Sequence, residues 1–190
     1  MPDPAALSNL GAMRRQLIRH PAFPCDAVQA IEVEVRRRPR GRLDLRYRLS
    51  GVTEALVLPP PAPPARADEL WRHTCLEAFV GEAASPGYLE FNLAPSTQWA
   101  AYQFEGYRAG MAPAEVAPPA IRVDRSGGML ELAATLAPPL DGGPWRLGFS
   151  AVIEEAGGRI SYWALRHPPA RPDFHDPDCF VLELPAPEAP

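Results

Sequence analysis

Ile31-Glu-Val-Glu-Val35 and Leu43-Asp-Leu-Arg-Tyr-Arg-Leu49 alternate apolar and charged residues, and the basic segment Arg37 to Gly41 separates them. Period-two alternation places one row of side chains against a core and the other against water, so the stretch predicts an antiparallel hairpin. The same pattern recurs at Ile121 to Asp124 and Met129 to Leu136 around Ser126-Gly-Gly128, and at Trp145 to Glu154 and Arg159 to Arg166 around Gly157-Gly158. Together with Thr74 to Val80, Tyr88 to Leu93 and a closing strand in Cys179 to Leu184, they predict an all-β fold. The expected form is an antiparallel β-sandwich, immunoglobulin-like or jelly-roll-like, of roughly nine or ten strands. Leu7, Leu10, Met13 and Leu17 are spaced for one helix face with Ser8 as a cap, predicting at most a short N-terminal helix.

A chain of 190 residues can bury one sizeable core, and its 25 prolines cluster between the strands rather than at a domain boundary. The expected organisation is an N-terminal extension over residues 1–16, one domain over 17–184 and a Pro-rich tail over 185–190. With a net charge of -4 there is no broad basic field, so nucleic acid is not an expected partner. All 19 basic residues are arginine, which excludes Schiff-base lysines and lysine-dependent phosphate loops. Met1 to Ala12 holds no long apolar run, and Cys25, Cys75 and Cys179 are odd in number and widely spaced. Reduced thiols, a cytoplasmic location and no membrane association are therefore expected.

Chemistry concentrates in Leu70-Trp-Arg-His-Thr-Cys-Leu-Glu-Ala-Phe-Val80 and Tyr88-Leu-Glu-Phe-Asn-Leu93. Alternation assigns Leu76, Ala78, Val80, Leu89, Phe91 and Leu93 to the core, leaving Glu77, Glu90 and Asn92 on the opposite face. A polar row also suits an ordinary wet sheet face, but aromatic residues accompany this one. Trp71, Trp99 and Trp163 are candidate stacking surfaces, because an indole packs against the apolar C–H face of a sugar ring. Glu77, Glu90, Asn92 and Arg108 are candidate hydroxyl-binding groups, and Arg72, His73, His167 and His175 candidates for the rim or for polar support.

Other chemistries have weaker signals. Glu77 and Glu90 would have to stand at a defined separation to hydrolyse a glycosidic bond, and sequence gives no separation. Gly148-Phe-Ser-Ala-Val152 lacks the second glycine of a nucleophile elbow. His73, Cys75, His167, His175 and Cys179 have zinc-binding atoms without the usual short ligand spacing, so no metal is expected. Arg171-Pro-Asp-Phe-His-Asp176 reads as a tight loop whose aspartates accept from backbone amides.

Leu70 to Phe79, Tyr88 to Asn92, Ser96 to Arg108 with Gly110-Met111, and Ser161 to His167 with Pro172 to His175 resemble the bacterial DOMON-like family over about Leu17 to Leu184. That family is similar to the type 9 carbohydrate-binding modules and the DOMON domains. The resemblance implies a β-sandwich that binds a sugar or, in some relatives, haem, and it makes Glu77 the counterpart of a pocket glutamate. The expected function is a non-enzymatic module for a saccharide or sugar-containing metabolite, with no cofactor. The alternatives are a haem-binding domain with Met111 and a histidine as ligands, a carboxylate- or metal-dependent enzyme, and a protein-interaction module.

Overall fold

A computed structural model of the chain describes residues 11–186. The strands are β1 (Met13–Arg19), β2 (Val28–Arg38), β3 (Arg42–Gly51), β4 (Cys75–Glu82), β5 (Tyr88–Leu93) and β6 (Trp99–Phe104), followed by β7 (Ala112–Pro113), β8 (Ala120–Ser126), β9 (Met129–Leu136), β10 (Trp145–Glu154), β11 (Ile160–Ala164) and β12 (Leu182–Leu184). All pair antiparallel in one sheet of order β7-β6-β5-β4-β10-β11-β1-β2-β3-β9-β8, with β12 added to β10. The only helical pieces among the described residues are three single 3-10 turns.

The expected hairpins are present, and their turn chemistry explains them. Gly127 and Gly128 have φ of 57° and 74°, and they connect Ser126 directly to its partner Met129. A two-residue turn with positive φ at both positions matches the right-handed twist of its strands and favours glycine twice.

Two expectations need correction. Met13 and Leu17 lie on a strand rather than a helix, because β1 pairs with β2 and β11 and so joins the two halves of the sheet. Sheet pairing overrides the weak apolar spacing; Leu7, Ser8 and Leu10 fall outside the described residues. The second concerns the sandwich. Instead of two separate sheets, one continuous sheet of twelve strands curls over a shared core as an open half-barrel, with β7 and β8 at the ends of the pairing order.

Val33, Val35, Leu45 and Leu132 from one half share that core with Leu76, Ala78, Phe91 and Leu147 from the other. Each large apolar side chain fully buried there contributes roughly 1.5–3 kcal/mol of transfer free energy. Tyr47 ties the halves together: its ring meets Phe149 edge-on at 6.2 Å, and its hydroxyl donates to the Glu77 carbonyl at 2.6 Å. The outer face of β2 and β3 is wet and charged, with Arg48 between Glu32 and Glu131. By contrast β5 is buried on both faces, and β4 over all but its last residue. A second apolar cluster of Phe79, Tyr88, Tyr102, Phe104 and Phe180 covers their outer face, packed beneath Trp71 and Phe174.

Candidate ligand-binding site

That outer face carries a cavity of about 580 Å³. Glu77 and Glu90 line it from the sheet, with Val152 and Tyr162; Phe23, Trp71, Phe104 and Phe174 supply further walls, and Arg108, Met111, Arg171, Pro172 and His175 come from the loops. The volume lies within the ~300–1,000 Å³ of small-molecule pockets, and the lining has their usual composition, mostly apolar and aromatic with a few convergent polar groups.

Register explains the floor. Glu77 pairs with Asn92 on β5 and Ser150 on β10, while Glu90 pairs with Phe79 and Tyr102, so all point to the outer face. The Ser150 hydroxyl donates to Glu77 Oε2 at 2.6 Å, and the Asn92 amide donates to Glu90 Oε1 at 2.7 Å. Among the described residues, Glu77 Oε1 has no hydrogen-bond partner. Burial, and then the neighbouring charge of Glu90, push the Glu77 carboxyl up to about 8, although the Ser150 hydrogen bond opposes this. Burial also raises Glu90 above the ordinary carboxylate range, against the pull of Asn92 and the positive charge of Arg108. Two desolvated carboxyls this close titrate as a pair, and at neutral pH the pair retains a proton.

A hydrogen-bonded wall stands over this floor. Arg108 adopts a left-handed φ of 52°, which turns its amide to the Tyr88 hydroxyl at 3.3 Å. Its guanidinium forks onto the buried carboxylate of Asp173, which also accepts from the Tyr107 hydroxyl at 2.6 Å. Burial pushes Asp173 upward, but the hydrogen bonds from Arg108 and Tyr107 prevail and leave it below the ordinary carboxylate range. The Tyr88 hydroxyl accepts from the Arg108 amide and shares a hydrogen bond with His175 Nδ1, 2.8 Å away. The other ring nitrogen, Nε2, faces Glu90 Oε2 at 3.6 Å. Burial and the charge of Arg108 lower His175 to about 4, so the ring is neutral at pH 7.

The structure brings together Trp71, Glu77, Glu90, Arg108 and His175 in the cavity, with Asn92 buried directly beneath as the support of Glu90. It does not bring the other predicted site residues there. Trp99 and Trp163 belong to the inner core, because Trp99 pairs with Leu93 and Trp163 with Ala151, both inward-facing. Arg72 is exposed and paired with Glu69, and His73 is exposed and bonded to Glu154 at 2.7 Å. His167 donates to the Ile18 carbonyl at 2.7 Å and touches the cavity only through its ring contact with Phe174. Phe23, Val152 and Ser150 carried no local signal: each matters only through tertiary placement. Phe174 lay in a loop whose geometry was legible, since Asp173 accepts from the His175 amide and Asp176 from the Asp178 amide as expected.

Among the described residues no group of three or more His, Cys, Asp or Glu is placed to hold a metal ion. Likewise no helix there is long and apolar enough to cross a membrane. His175 and Met111 do line one cavity, as a haem reading requires, yet they do not fit an axial pair. Nδ1 is committed to Tyr88, Nε2 faces a carboxyl group, and Met111 is 54% exposed at the mouth.

The fold and the site together define an all-β, antiparallel protein with a cavity outside its main core. No protein-family model matches the chain, and no curated protein matches it. A solved structure from Bacteroides uniformis ATCC 8492, a protein with a proposed carbohydrate-binding role, is similar in fold. Its TM-score is 0.67 at 16% identity, and the match covers 93% of this chain and 88% of that one.

Proposed function

We propose that this chain is a non-enzymatic binding module whose outer cavity takes a saccharide or a sugar-containing metabolite. The observation that carries the reading is the pairing of the Glu77 and Glu90 carboxyls on the floor with the Trp71, Phe104 and Tyr162 rings on the walls. A sugar presents the matching surfaces, a hydroxyl rim for carboxyl and imidazole groups and a C–H face for an indole. The fold likeness to the Bacteroides uniformis protein supports the same direction. The reading includes the DOMON-like resemblance, with the curled sheet as a sandwich-related form of it. It also includes a cytoplasmic setting, with Cys25, Cys75 and Cys179 as free thiols.

Titration calorimetry with a panel of mono- and disaccharides tests it. At least one sugar is expected to bind and to be recovered unchanged, and Trp71→Ala is expected to weaken it about tenfold, equivalent to ~1.4 kcal/mol. Trp99→Phe, a change in the inner core, should leave affinity within about twofold. If no sugar in the panel binds, or Trp71→Ala binds as the parent does, the proposal is wrong.

A further inference from the structure

We infer that the cavity selects a ligand bearing a protonated amine, and, resting on the saccharide reading above, that this ligand is an amino sugar with a free ammonium group. The geometry supplies two independent halves of an ammonium site. The first is the floor, where Glu77 and Glu90 are 3% and 6% exposed, open on the cavity and flanked by neutral groups. Ser150 contributes a hydroxyl, Asn92 an amide and His175 an imidazole that stays neutral at pH 7. Neither carboxyl has a cation in hydrogen-bonding contact among the described residues. A buried carboxyl pair with no cation in contact favours an incoming one, which restores ionisation to both groups.

The second half is the wall. Trp71, Phe23, Phe104, Tyr162 and Phe174 border the same space, and the negative faces of such rings attract an ammonium group. Trp71 is held in place by an edge-on contact with Tyr102 at 5.9 Å, and Tyr102 is fixed in turn by its hydrogen bond to Asp68. A neutral sugar would use the rings and hydroxyl acceptors but would leave the carboxyl pair sharing a proton. An ammonium ion replaces that proton with a ligand contact.

Two guanidinium groups also border the cavity, and neither fills this role. Arg108 spends its fork on Asp173 at 2.8 Å, so its charge is largely balanced locally. Arg171 is exposed at the mouth, where water screens it from the floor.

Titration calorimetry at pH 7 with glucosamine, glucose, N-acetylglucosamine and choline tests the inference on the parent protein. Glucosamine is expected to bind at least tenfold more tightly than glucose or N-acetylglucosamine, and Glu90→Gln should reduce that preference to less than threefold. Equal affinity for the amine and its neutral counterparts overturns the ammonium inference while leaving the saccharide reading intact. Binding of choline with none of the three sugars supports the ammonium site and overturns the saccharide reading, and silence from all four probes overturns both. The parent comparison decides the matter even if Glu90→Gln fails to fold.

Discussion

Glu77→Gln should make the protein more stable, and increasingly so as pH rises. In the unfolded chain Glu77 loses its proton near 4.5, whereas in the folded protein it holds the proton up to about 8. Between those values the native state binds more protons than the unfolded state, so stability falls as pH increases. One proton over that window amounts to at most about 5 kcal/mol, at 1.36 kcal/mol per pH unit, and water in the open cavity reduces it. Glu90 and the Cys75 thiol neighbour the group, with His175 and Arg108 in the same cavity, and Glu90 shifts in the same direction, so removing one carboxyl also relieves the other. Glutamine keeps an oxygen to accept from Ser150 and carries no charge at any pH. Urea denaturation at pH 5, 7 and 9, followed by tryptophan fluorescence, measures the difference. The variant is expected within about 1 kcal/mol of the parent at pH 5 and several kcal/mol more stable at pH 9. A difference that is flat with pH, or a variant less stable at pH 9, would refute the placement of an uncompensated carboxyl on the cavity floor.

Three further outcomes follow from particular contacts. Tyr47→Phe removes the hydroxyl donated to the Glu77 carbonyl at full burial and should cost about 1–2 kcal/mol in equilibrium unfolding, with little change in the core. Gly51→Ala should be worse, at least ~2 kcal/mol, because Gly51 has φ of 143° and an added Cβ would collide with the Ala27 carbonyl oxygen; a neutral result by thermal melt would contradict this packing. Asp173→Asn removes the buried charge that clamps Arg108 and Tyr107, so any ligand affinity should fall several-fold and the melting temperature should fall with it at pH 7, as calorimetry and thermal melts together would show.

Period-two alternation made the strand faces legible, and the structure agrees with it wherever the pattern was strong. Leu89, Phe91 and Leu93 are core, and Glu90 and Asn92 point the other way beside Glu77. Alternation failed for Trp99 and Trp163 because a lone tryptophan fits either face, and only its cross-strand partner decides. It also failed at β1, where Arg14, Arg15 and Gln16 interrupt the apolar residues and only pairing with β2 and β11 makes a strand. The loop residues were illegible for another reason. His73 and His175 look alike in sequence, yet the first meets Glu154 in solvent and the second meets Tyr88 under a roof built by distant segments.

The curl of the sheet and the presence of the cavity are linked. Bending around β1 lets the inner faces of β3 and β10 close on each other through Tyr47 and Phe149, which satisfies one side of the sheet. The outer side of β4 and β5 is then left without a second sheet, although its aromatic row of Phe79, Tyr88 and Phe104 must still be removed from water. Loops do this instead of strands, and Arg108 with its left-handed φ and Asp173 with its three donors hold them in place. Loops cover a flat sheet less completely than another sheet would, and the gap falls over Glu77 and Glu90. The buried carboxyls therefore sit where packing is incomplete, and it is this coincidence of a destabilising pair with an open cavity that the proposed binding role rests on.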